Sequence, residues 1–62
     1  MSYESVKADV NRYMAEAQFE LSRCNDVYRL ETILLALVNK LSEEQDRATE
    51  MVREIEKGWV NG

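Results

Sequence analysis

Sixty-two residues with one cysteine, no histidine and no proline bound what this chain can be. A single cysteine excludes an internal disulfide, and without histidine there are too few ligands for a structural zinc site. Twelve acids against eight bases give a net charge of −4, the wrong sign for a surface that meets phosphates, so nucleic acid is not an expected partner.

A chain of this size forms one domain and buries only about 60% of the surface its unfolded form exposes, so it needs support. With disulfide and metal set aside, self-association or another protein is left. The N-terminus is polar and lacks the apolar core of a secretory signal. Together with a lone unpaired cysteine, this gives a cytoplasmic protein as the expectation.

In chain order, Ser2 is the expected N-cap of a first helix, with Glu4 in the turn where the helix dipole favours an acid. Tyr3, Val6, Val10, Tyr13 and Ala17 follow in steps of three and four, which predicts a helix over 3–23. Met14 and Leu21 lie beside that seam. Phe19 points elsewhere, either to solvent or to a second packing surface. Residues 24–26, Cys-Asn-Asp, have the turn chemistry, and a left-handed Asn25 is the conformation expected there.

From Val27 to Leu41 the chain reads VYRLETILLALVNKL, its most apolar run. Val27, Leu30, Ile33, Leu34, Leu37, Val38 and Leu41 recur at helical spacing and are the candidate core and partner-binding residues. Tyr28, Leu35 and Ala36 widen the stripe, so this helix must be covered from more than one side. The run is too short and too charged to span a bilayer, which needs roughly 20 apolar residues.

Beyond it, Ser42 with Gln45 fits a capping box and offers a second candidate break. Only Ala48, Met51, Val52 and Ile55 are apolar after that, and Leu34→Ala or Leu37→Ala is each expected to be much more damaging than any single change in residues 43–57. Glu43–Arg47 and Glu50–Arg53 have pairing spacing. Gly58 predicts the helix end, so the second helix is expected over 27–57 with a frayed tail at 58–62. Trp59 and Val60 either fold back or serve a partner.

One pattern competes with the turn. The heptad phase runs from Tyr3 to Trp59 without a shift, interrupted only by Glu20, Glu31 and Gln45. That fits a single long coiled-coil helix, and three short helices are the other alternative. The breadth of the apolar run favours an all-α hairpin of two antiparallel helices, completed to a bundle by self-association or a partner.

No constellation carries chemistry. Glu16 with Glu20, and Glu50 with Glu54, share helix faces, but a bundle metal site also takes histidine. Cys24 has no histidine to activate it, and no serine has a base. No catalytic residue, cofactor, metal or small-molecule ligand is therefore expected. In size and pattern alone, the chain is similar to the small two-helix co-chaperones of type III secretion needle subunits and to the plasmid repressor of primer. No motif is shared and no functional residue carries over; the repressor's RNA role takes basic residues, and this chain is acidic. The expectation is a non-enzymatic adaptor, co-chaperone or inhibitor that binds itself or another protein through helix packing. A small regulatory subunit of an enzyme or nucleic-acid machine is the alternative.

Overall fold

The computed structural model describes the backbone of residues 2–61 and the side chains of residues 2–58. Helix α1 spans Tyr3–Ser22 and helix α2 spans Val27–Asn61. Asp9, early in α1, meets Arg47, late in α2, while Glu20 meets Arg29 near the connection. The helices are therefore antiparallel, an all-α hairpin with no strand among the described residues.

Helix α1 begins where the sequence predicts. Ser2 is extended (φ −107°, ψ 154°), and its hydroxyl accepts the Ser5 N–H at 3.2 Å, which satisfies one of the amides that a helix start leaves without a partner. At the other end the Arg23 N–H reaches the Glu20 carbonyl and the Cys24 N–H that of Leu21. These three-residue bonds tighten the last turn. Asp26 then caps α2: its side-chain oxygen accepts the Arg29 N–H at 2.8 Å, and its carbonyl takes the Leu30 N–H.

The reversal differs from expectation in its conformation. No residue among those described has positive φ, so Asn25 is not left-handed. The chain turns instead through ordinary right-handed backbone at Arg23 (φ −103°, ψ −2°) and the Asp26 cap. The heptad phase survives the turn by coincidence of length, because the connection is short and α2 uses another line of residues to meet α1.

Two further expectations are corrected. Helix α2 passes Ser42 without a break, since nothing there removes a backbone donor, and the serine of a cap-like tetrapeptide is tolerated within a helix already held by packing. It also continues through Gly58 to Asn61. Gly58 keeps a negative φ, and a Cβ built on it meets nothing within 4 Å, so glycine is permitted to end the helix there but nothing obliges it to. Of the expected tail, Gly62 lies outside the described residues, as do the side chains of Trp59 and Val60.

At 1.5 Å per residue α1 is about 30 Å long and α2 about 52 Å, in keeping with a longest dimension of 54 Å. The C-terminal turns of α2 thus extend past the start of α1. The core between the helices is thin: Ala17 and Ile33 are the only buried apolar side chains among the described residues. Val6, Val10 and Tyr13 on α1, and Leu37, Leu41 and Met51 on α2, are half-buried around them.

Candidate functional site

The seven candidate partner-binding residues divide between two surfaces. Ile33 is buried, and Leu37 and Leu41 are half-buried in the hairpin. Val27, Leu30, Leu34 and Val38 stay exposed, with Leu34 retaining 44% and Val38 61% of their surface. The reason is geometric. Successive helical residues rotate by about 100°, so a stripe built from i, i+3, i+4 and i+7 covers well over 100° of arc. One partner helix covers only part of that arc. The line from Ile33 through Leu37 to Glu44 and Met51 faces α1, and the neighbouring line does not.

The two flanks of the hairpin differ in chemistry. On one, Arg29 donates to Glu20 at 3.2 Å, the Lys40 ammonium lies 5.3 Å from the Tyr13 ring centre, and Arg47 reaches Asp9 at 3.3 Å. Glu20, a polar interruption of the heptad seam, thus pairs across the hairpin. A shallow groove of about 870 Å³ opens on this side, with Tyr13, Ala17, Ile33, Ala36 and Leu37 in its lining. On the other flank Met14 and Leu21 of α1 and Leu30, Leu34 and Val38 of α2 are exposed, with no charged contact across the helices among the described residues. Tyr28 and Leu35 of α2 are exposed as well, and Tyr28 lines the groove on the charged flank.

Glu44 is the residue that the sequence did not single out. It is the most buried polar side chain among the described residues, with 2% of its surface exposed. Arg47 donates to its Oε2 at 2.6 Å and also to Asp9, so one guanidinium bridges two carboxylates from two helices. Glu44 Oε1 has no hydrogen-bond partner among the described residues. Arg47 takes these partners rather than Glu43, the i, i+4 pairing expected from spacing. The signal that could have found Glu44 was its place seven residues after Leu37 and eleven after Ile33, on the core line. Glu44 and Arg47 are thus not the solvated positions that the sequence alone suggested for residues 43–57.

The remaining singled-out side chains are accounted for locally. Glu16 lies 4.0 Å from Arg12, and Glu50 pairs with Arg53 at 3.0 Å as its spacing implied. Phe19 is exposed with the Arg23 guanidinium 5.3 Å from its ring centre. The Cys24 thiol, half-buried, donates to the Asp26 carbonyl at 3.3 Å, a contact across the turn. Among the described residues no group of three or more acidic, histidine or cysteine side chains is placed to hold a metal, and no helix is long and apolar enough to cross a membrane.

No protein-family model matches the chain, and neither a curated protein nor a solved structure does.

Proposed function

We propose that the protein is a non-enzymatic interaction module that binds through helix-on-helix packing, in the manner of an adaptor, co-chaperone or inhibitor. The observation that carries this reading is the apolar flank of the hairpin: Leu30, Leu34 and Val38 with Met14 and Leu21 alongside, all exposed on a chain with two buried apolar side chains among the described residues. Contiguous apolar surface of this kind, bordered by charge, is what a protein-binding face requires. Grooves and stripes of this width take an amphipathic helix through anchors at i, i+3, i+4 and i+7. The charged flank fixes orientation and suppresses wrong partners by like-charge contact. The cytoplasm is the compartment that suits an unpaired cysteine.

The test compares capture by tagged wild type and by tagged Leu34→Glu from an extract of the native host. Chains retained by the wild type and released by the substitution support the reading. Identical retention by both would place binding elsewhere and defeat it.

A further inference from the structure

We propose that α2 pairs with α2 of a second copy, in antiparallel orientation, along a heptad line that the hairpin leaves open. This rests on the reading of the protein as an interaction module and names its partner. From Val27 onward, steps of four and three reach Leu34, Val38, Leu41, Val52 and Ile55, with Ala48 among them and only Glu31 and Gln45 polar. That is the spacing of a coiled-coil seam. Helix α1 packs on the adjacent line, through Ile33, Leu37 and Glu44, and half-buries Leu41 and Ala48 of the seam while leaving its other apolar members open. Val27, Leu34, Val38, Val52 and Ile55 are all exposed. The open line is about 42 Å long at 1.5 Å per residue.

Area argues for an occupant of this size. The chain exposes 5233 Å², whereas a folded monomer of its mass exposes about 4,100 Å². The surplus, about 1,100 Å² by that scaling, exceeds the roughly 800 Å² that each partner contributes to a stable interface.

Charge and register argue for a second copy running the other way. Residues 25–41 carry two acids and two bases, while residues 42–62 carry six acids and three bases. A parallel pair would set the two acidic halves against each other. An antiparallel pair sets each acidic half beside a neutral one, which is the favoured arrangement of charge. With the two-fold axis between Val38 and Leu41, Val38 meets the second copy's Leu41, and Val27 meets its Val52. The end of α2 that extends past α1 is then laid along the other hairpin's turn, and apolar side chains that no residue of the same chain covers find neighbours.

The experiment uses the full chain. Sedimentation equilibrium over a hundredfold concentration range should give the mass of two chains. Leu34→Glu or Val38→Glu should reduce it to one chain with the helical circular dichroism retained, since both side chains are exposed in the hairpin. Val52→Glu, remote from α1, serves the same purpose should either variant lose helicity. Nitroxide labels on Cys24, the sole thiol, should lie about 45 Å apart in the antiparallel pair, from 31 residues of helical rise. A parallel pair would bring them within about 20 Å, the scale of neighbouring helix axes plus label arms. A one-chain mass throughout overturns the second copy, as do a two-chain mass indifferent to all three substitutions and a short label distance. If the chain is monomeric yet Leu34→Glu still releases a captured host protein, the module stands and only its partner was misassigned. If the chain is monomeric and capture is indifferent too, both readings fall.

Discussion

Glu44 and Arg47 show how a polar pair behaves at the centre of a thin interface. The carboxylate is nearly fully buried, one of its oxygens lacks a partner, and the guanidinium that neutralises it is partly in water. Removing the cation alone leaves a buried charge uncompensated, whereas replacing the carboxylate by an apolar side chain of similar volume removes the need for compensation. Arg47→Ala should therefore destabilise the chain by about 1–2 kcal/mol, discounted from the buried-pair range for the exposure of Arg47. Glu44→Met should be neutral or stabilising. Denaturant titrations check the sign, and equal losses for the two would mean that the Glu44 charge itself holds the interface. At the turn, Asp26→Ala should cost about 1 kcal/mol through loss of the cap. Asn25 has no positive φ to relieve, so glycine there adds only unfolded-state freedom. Asn25→Gly should fall below Asn25→Ala by about 0.4–1 kcal/mol in the same titrations. The reverse order would indicate a left-handed residue at that position.

The two helices are held by different means. Helix α1 has a capped start and a narrow seam that its partner covers at Ala17 and half-covers at Val6, Val10 and Tyr13. Helix α2 has a capped start and a stripe wider than one neighbour can cover, and its described side chains from Val52 to Gly58 are exposed. Ile33 and Leu34 are adjacent in sequence and opposite in fate. At dilutions where chains are separate, Ile33→Ala should cost about 2–4 kcal/mol, as truncation in a packed site does. Leu34→Ala should cost less than half as much, because nearly half of its side chain is already in water. Circular dichroism melts of both variants at matched low concentration check the order, and equal losses would put Leu34 inside the hairpin core. Ion pairs contribute little to either helix: Arg53–Glu50 and Arg29–Glu20 are exposed, and such pairs are each worth under about 1 kcal/mol.

At the scale of the molecule, a hairpin with two buried apolar residues is a weak unit. Anything that binds the folded form raises its apparent stability by mass action. If a second copy is the support, thermal melts followed by circular dichroism over a hundredfold dilution should shift steadily to lower temperature. A melting temperature independent of concentration would show that the hairpin is stable by itself.

The sequence by itself determined the helical class, the cap at Ser2 and the breadth of the apolar face on α2, and it offered Cys24–Asp26 as a reversal in competition with Ser42 and with one continuous helix. Each follows from neighbours a few residues apart: helical periodicity, capping chemistry and turn chemistry are local. Only the tertiary structure decided which part of that face α1 would cover. Ile33 and Leu34 are equally apolar, and only the approach angle of the other helix separates them. Tertiary packing also buried Glu44 in an apolar interface, and it carried α2 past Ser42 and Gly58. Local signals mark where a helix is allowed to stop, and the free energy of the packed helix decides whether it does.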